Sequence, residues 1–116
     1  MKENVVQIKS YAFAVKIVKV YKYLCDEKRE YVLSKQLLRS GTSIGANIEE
    51  AIGGQSRKDF YAKLTISYKE ARETHYWIRL ITDTNYLEPE KSKELLGDCE
   101  ELLKIIGSIQ KTIRNS

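Results

Sequence analysis

The sequence has one proline and six glycines among 116 residues. That is too few to punctuate a strand-and-turn design, and it favours long uninterrupted helices. Histidine occurs once, at His75, and cysteine twice, at Cys25 and Cys99. A zinc site takes four such ligands at close spacing, and a di-iron bundle takes two Glu-x-x-His pairs plus two further glutamates. The residue three before His75 is Arg72, Glu70 and Glu73 have no histidine at the required step, and Glu49 and Glu50 are adjacent and so diverge on a helix. Ligand shortage argues against metal chemistry, and neither a metal nor a cofactor is expected. The phosphate loop G-x-x-x-x-G-K-[ST] is missing too, because the Gly41–Gly45 stretch lacks its lysine and lies within a helical pattern. Ser40, Ser43 and His75 make a poor nucleophile and base, since serines in a helix seam are packing residues. No apolar run nears the roughly 18 residues needed to span a bilayer, and no basic-then-apolar leader is visible. The expectation is a cytoplasmic protein without a membrane partner, its two cysteines reduced on apolar stripes.

What is present is helical rhythm. Hydrophobic residues make up 42% and charged residues 31%, the balance of one globular domain over residues 1–116 with much polar surface. Phe60, Leu64, Ser67, Ala71, Thr74, Ile78 and Ile81 alternate steps of four and three, which keeps one helix face against a partner. Leu33, Leu37, Ser40, Ile44, Asn47 and Ala51 repeat that seam with small or polar residues in it, and Leu95, Cys99, Leu102, Ile106, Ile109 and Ile113 give a third. A first helix from about Asn4 to Asp26 carries two adjacent stripes: Phe13, Ile17, Val20 and Leu24, then Tyr11, Ala14, Val18, Tyr21 and Cys25. That apolar face is wider than the three-sevenths of a simple bundle helix, leaving enough for a neighbouring subunit. The third helix likewise has a second set, Ala62, Ile66, Trp77 and Leu80, away from its seam.

The connections are short. The polar stretch Asp26–Glu30 is the first turn, and a second helix runs from about Tyr31–Leu33 to Ile52. Ser40-Gly41-Thr42-Ser43 is a poor helix former where a kink or break is most to be expected, while Gly41 and Gly45 share one face and permit close contact. Gly53-Gly54 is expected to supply a left-handed helix stop, with Ser56 as the next N-cap and Asp59 near the positive helix end. The third helix should reach about Thr84. After Asn85-Tyr86-Leu87, Pro89 suits the first helical position of the fourth. The fold expected is all-α, an antiparallel up-down four-helix bundle.

Charge adds a functional hint. The net charge is +4, and Lys9, Lys16, Lys19 and Lys22 occur between Asn4 and Cys25 with no acid among them, whereas the segment after Glu88 is close to neutral. A one-sided basic surface suits a polyanion such as RNA or DNA. Those lysines are the first candidates for phosphate contacts, with Arg39, Arg57, Lys58 and Arg72 behind them. Ile66, Glu73, Tyr76, Trp77 and Leu80 are the candidates for a subunit interface. Glu73 is read either as part of solvated ion pairs with Arg72 and Arg79 on its own helix or as the partner of a basic residue across the interface. Tyr76 and Trp77 are read as core filler, subunit contact or base-stacking platform.

Gln36-Leu37-Leu38-Arg39-Ser40, Ser43-Ile44, Asn47-Ile48, Glu50 and Phe60 resemble the small four-helix-bundle proteins encoded by intervening sequences within bacterial 23S ribosomal RNA genes. Lys69-Glu70-Ala71-Arg72-Glu73-Thr74 with Tyr76-Trp77 is similar to a branch that includes the accessory variability proteins of diversity-generating retroelements. Many intervening-sequence members read Ala-Glu-Gly after the Asn-Ile pair, where this chain has Glu49-Glu50-Ala51. The resemblance implies a homopentamer of up-down bundles without catalytic activity and, from the retroelement relatives, a nucleic-acid-binding surface and a reverse-transcriptase partner. Together these readings describe a non-enzymatic, cyclic oligomer that binds nucleic acid with low sequence specificity. The alternative is a protein–protein scaffold or adaptor with no nucleic-acid contact.

Overall fold

A computed structural model describes the backbone of residues 2–116 and the side chains from Val5 onward. Four helices follow one another: α1 (Lys2–Asp26), α2 (Leu33–Ile52), α3 (Arg57–Asp83) and α4 (Pro89–Arg114). Cross-helix contacts fix the direction of each. Ile17 lies against Gly41 and Ser10 against Gly45; Ser40 meets Thr74, and Ser67 donates to the Ile44 carbonyl; Thr65 meets Gln110 and Thr82 meets Ser92. In every pair one residue number rises as the other falls, so the bundle is antiparallel and up-down. Each helix packs on its chain neighbours, α4 closes the ring on α1, and α1 and α4 touch least. The result is a rod of 47 × 21 × 19 Å.

The core is built from the seams read in the sequence. Phe13, Ile17 and Leu24 meet Leu37, Ile44 and Ile48 of α2, Leu64, Ile78 and Ile81 of α3, and Leu95, Leu102 and Ile106 of α4, all fully buried. One seam position is corrected: Ile48, not Asn47, fills the α2 core. Asn47 is half-buried and donates from its amide to the Ser43 carbonyl at 2.8 Å. The Tyr11, Ala14, Val18, Tyr21 and Cys25 stripe of α1 is also redrawn. Four of its members are half-buried, and Cys25 reaches Ser34 of α2 at 3.8 Å. The large apolar side chains that α1 leaves exposed are Val5, Ile8, Tyr11, Val15 and Tyr23, with Ile8 and Tyr11 the most open.

Helix α2 runs without a break through Ser40–Ser43. Two effects outweigh the poor propensity there. Thr42 and Ser43 donate their hydroxyls to the carbonyls of Leu38 and Arg39, and the small residues admit neighbouring helices. A Cβ on Gly41 would sit 2.8 Å from two carbons of Ile17, and one on Gly45 would sit 3.3 Å from the Ser10 carbonyl oxygen. Against α3 the same helix uses buried hydroxyls. Ser67 Oγ donates to the Ile44 carbonyl at 2.9 Å, and Thr74 Oγ1 lies 3.0 Å from Ser40 Oγ. No buried side-chain nitrogen or oxygen lacks a partner among the described residues. Cys99, in the middle of α4, donates its thiol to the Ala71 carbonyl at 3.2 Å, and burial pushes the thiol pKa up to about 12. Both cysteines are free.

The helix ends depart from expectation in an instructive way. Gly53 has φ −82°, and no glycine adopts positive φ, so Gly53-Gly54 is not a left-handed stop. Gly54 is needed for space, since a Cβ there would lie 3.0 Å from the Ala51 carbonyl oxygen. The left-handed residues are Arg29 and Asn85. Asn85 closes α3 by a Schellman arrangement, with the Tyr86 N–H bonded to the Ile81 carbonyl and the Asn85 N–H to the Thr82 carbonyl. Ser56 caps α3 as expected, accepting from the Asp59 N–H at 3.0 Å, and Pro89 opens α4.

The first turn holds a cap that its composition did not announce. The Glu30 carboxylate accepts from the backbone N–H groups of Val32, Leu33 and Ser34 at 3.2, 3.0 and 2.7 Å, and the Ser34 hydroxyl returns a bond to the Glu30 carbonyl. These N–H groups have no partner within the helix, and a negative charge suits that end. Partial burial would raise the Glu30 pKa, but the three amide bonds outweigh it and hold the carboxyl below its usual range.

Two expectations follow. In urea unfolding, Gly97→Ala, at an exposed helix position with nothing within 4 Å of its Cβ, should stabilise by up to about 1 kcal/mol, whereas Gly41→Ala should lose that gain to overpacking that costs about 1–3 kcal/mol. Equal gains at both sites would contradict the close α1–α2 packing. Glu30→Gln should cost about 1 kcal/mol at neutral pH. A carboxyl with a lowered folded pKa gives stability that is complete above the unfolded value of about 4.3 and is lost as pH falls through the lowered one. The penalty should therefore shrink on acidification, and a pH-independent penalty would rule out the charged cap.

Candidate functional site

The candidate residues named from the sequence do not converge on one surface. Lys9 and Lys16 lie on the flank of α1 that faces α4. Lys9 Nζ is 3.1 Å from Glu101, and Lys16 Nζ is 2.7 Å from Asp98 and 2.9 Å from Glu94. The bonds to Asp98 and Glu94 raise the Lys16 pKa, and Lys16 in turn lowers that of Glu94. Both lysines thus spend their charge on holding the loosest seam of the ring, and the expected uniform lysine face of α1 is split. Lys19 is exposed and borders an open groove with Val20, Tyr23, Leu87, the acids Glu88, Glu90 and Glu94, and Lys91, which pairs with Glu94 at 3.4 Å. Lys22 is exposed with no ion pair among the described residues.

Arg39 crosses from α2 to α3. One guanidinium nitrogen is 3.2 Å from Glu70, and the other pairs with Glu73. Glu73 also accepts from the Trp77 indole N–H at 2.9 Å. The indole bond and then the Arg39 pair hold its carboxyl below the usual range. One sequence reading gave Glu73 a cationic partner in a neighbouring subunit; within one chain that role is filled by Arg39. Trp77 is partly buried and packs on the core, its ring 5.0 Å from that of Tyr76 in an edge-on arrangement. Tyr76 is 49% exposed and Ile66 41% exposed, both on the outer side of α3, while Leu80 is half-buried.

Arg57 bonds to the Ser116 hydroxyl, and Lys58 and Arg72 are exposed. Arg72 stands beside a polar cluster at the α3–α4 seam that the sequence reading left unconnected. His75 Nδ1 accepts from Arg79 Nε at 3.1 Å, and its Nε2 lies 2.9 Å from a Glu100 oxygen. The Arg79 guanidinium also lies over the Tyr76 ring at 5.9 Å. A shallow depression joins Arg72, Glu73, His75, Tyr76, Arg79 and Leu103. His75 spacing to Arg79 on one helix and to Glu100 across the seam could have pointed here only once α3 and α4 were known to pair. Ser40 and Ser43 lie apart from this cluster, bonded within α2 and to Thr74. Among the described residues no group of three or more His, Cys, Asp or Glu is placed to hold a metal ion, and no helix is long and apolar enough to cross a membrane.

Comparison with known proteins gives this arrangement a family. No curated protein matches the chain. The crystal structure of a protein of unknown function from the S23 ribosomal protein family of Bacteroides thetaiotaomicron is 53% identical in sequence. Its alignment covers 96% of this chain and 99% of that one with a TM-score of 0.94, so the four-helix architecture is shared end to end. The model of the family described as 23S rRNA-intervening sequence protein matches residues 2–108. This chain belongs to the 23S rRNA-intervening sequence protein family.

Proposed function

We propose that this protein is a non-enzymatic homo-oligomer that holds nucleic acid by its phosphates with low sequence specificity. The observation that carries the reading is the distribution of charge. Glu50, Glu70, Glu73, Glu94, Asp98, Glu100 and Glu101 are all engaged by side chains of the same chain. Outside those pairs lysines and arginines still outnumber acids, in a chain whose net charge is +4. Such a surface attracts a phosphate backbone without reading bases.

The oligomer is supported by apolar surface that one bundle leaves open. Ile8 and Tyr11 of α1 are 67% and 70% exposed, and Val15 lies beside them. On α3 the exposed large apolar side chains are Ile66 and Tyr76. In the ring α1–α2–α3–α4 these two helices occupy opposite corners, so the patches look in opposite directions. Contact between unlike patches of successive copies is heterologous and closes into a ring when the rotation permits. A ring repeats the basic surface around its axis and multiplies its field. The pentamer number comes from family resemblance.

Titration of the purified protein against labelled structured RNA at about 50 and 200 mM salt should show binding that weakens by orders of magnitude across that range. Light scattering should give a multiple of the 13.4 kDa protomer, reduced to one protomer by Tyr11→Glu combined with Ile66→Glu. Absence of binding at the lower salt would overturn the nucleic-acid reading in favour of a protein scaffold.

A further inference from the structure

We infer that the outward face of the α3–α4 pair, and not the lysine row of α1, is the surface on which the nucleic-acid backbone lies. This inference rests on the nucleic-acid reading above and assigns its location. It begins with how α4 sorts its charges. Glu94, Asp98 and Glu101 stand on the flank toward α1, where they meet Lys9 and Lys16. Lys93, Lys104 and Lys111 are separated by eleven and then seven residues, whole numbers of helical turns, so they share one line along α4. All three are exposed. A segment that is near neutral by count is thus acidic toward α1 and basic toward solvent.

Helix α3 supplies the matching row. The seam between the helices is marked by Thr65–Gln110, Tyr61–Arg114 and His75–Glu100 contacts and by Tyr68 against Gly107. Lys69, Arg72 and Arg79 lie beside that seam on the outer side of α3, at steps of three and seven residues, and all are exposed. Lys69, Arg72, Lys93, Lys104 and Lys111 make no ion pair among the described residues, and Arg79 donates to the His75 ring without pairing with an acid. The acids on or bordering this face are Glu100, in contact with His75, with Asp83 and Glu90 near one end. From Lys93 to Lys111 the row is about 27 Å long at 1.5 Å per residue. That length spans roughly eight phosphates at 3.4 Å per nucleotide of one duplex strand.

The lysines of α1 cannot offer the same. A phosphate approaching Lys9 or Lys16 meets Glu101, Glu94 and Asp98 at the same place, and the groove beside Lys19 holds three acids, Glu88, Glu90 and Glu94, against one further cation, Lys91. Charge complementarity therefore favours the α3–α4 face for a polyanion. An extended backbone fits it better than a compact anion, because the cations are strung along two helices and do not converge on one pocket.

The test compares three variants of the full chain in salt titrations with labelled structured RNA. Lys93→Gln/Lys104→Gln/Lys111→Gln should weaken binding at least tenfold and lower the slope of log affinity against log salt by about one for each lysine that touches a phosphate. Lys9→Gln/Lys16→Gln should change neither. Glu100→Gln, which removes an acid from the face, should bind more tightly than wild type, so the inference does not depend on a loss alone. If wild type binds but the α4 variant binds equally well, or the α1 variant carries the loss, the location is wrong while the nucleic-acid reading stands. If wild type does not bind, both fall.

Discussion

The close approach of α2 to both of its neighbours is the constraint from which the rest of this bundle follows. Toward α1 it is made by glycine. Gly41 leaves room for the branched side chain of Ile17, and Gly45 for the backbone at Ser10. Toward α3 it is made by hydroxyls, with Ser40 against Thr74 and Ser67 bonded to the Ile44 carbonyl. Buried polar groups are tolerable only when paired, and these are paired across the seam, so they favour one register of α2 against α3. A shift of a turn would leave hydroxyls unsatisfied across the α2–α3 seam. The propensity lost by placing Ser, Gly, Thr and Ser in mid-helix is about 1 kcal/mol for the glycine, a modest cost for fixing the position of three helices.

Once α1, α2 and α3 are fixed, α4 completes the ring under looser terms. Its contact with α1 is the slightest of the four and is bridged by exposed ion pairs, which individually contribute little to stability. Their larger effect is electrostatic sorting. They hold Glu94, Asp98 and Glu101 of α4 on one flank and occupy two lysines of α1, and the cations on the opposite flank of α4 join those of α3. A protein with a modest net charge of +4 thereby presents one face far more basic than the average. The exposed apolar side chains of α1 sit at the opposite corner of the rod, whereas Tyr76 of α3 shares a depression with Arg72 and Arg79, so on α3 the assembly and polyanion surfaces adjoin.

Much of the architecture was legible in the sequence because it is written in periodicity. The four-three spacing of Leu64, Ser67, Ala71, Thr74, Ile78 and Ile81 names a buried face whatever the partner, and Ser56 and Pro89 mark helix starts by local chemistry. What could not be read required a partner helix. Asn47 and Ile48 are both compatible with the α2 seam, and packing against α1 and α3 selects Ile48. The Gly53-Gly54 pair suggested left-handed backbone, yet both residues are there for space or by ordinary geometry, and Arg29 and Asn85 take the left-handed positions. Glu30 looked like one charge among several until its carboxylate was seen over the first N–H groups of α2. The functional surface was harder still. A run of lysines without acids on α1 is conspicuous in one dimension, but the acids that pair with Lys9 and Lys16 lie on the last helix of the chain. Conversely, Lys93, Lys104 and Lys111 are diluted by acids in sequence and separated from them in space. Glu73 shows the same limit, since its cationic partner is Arg39 of its own chain.

The central claim is that charge sorting by face, not charge density along the sequence, decides where a polyanion lies. The most direct test is to acylate the lysines of the protein with and without bound RNA and read each site by mass spectrometry. The account predicts protection at Lys69, Lys93, Lys104 and Lys111, with Lys9 and Lys16 unchanged. Protection confined to Lys9, Lys16, Lys19 and Lys22 would contradict it.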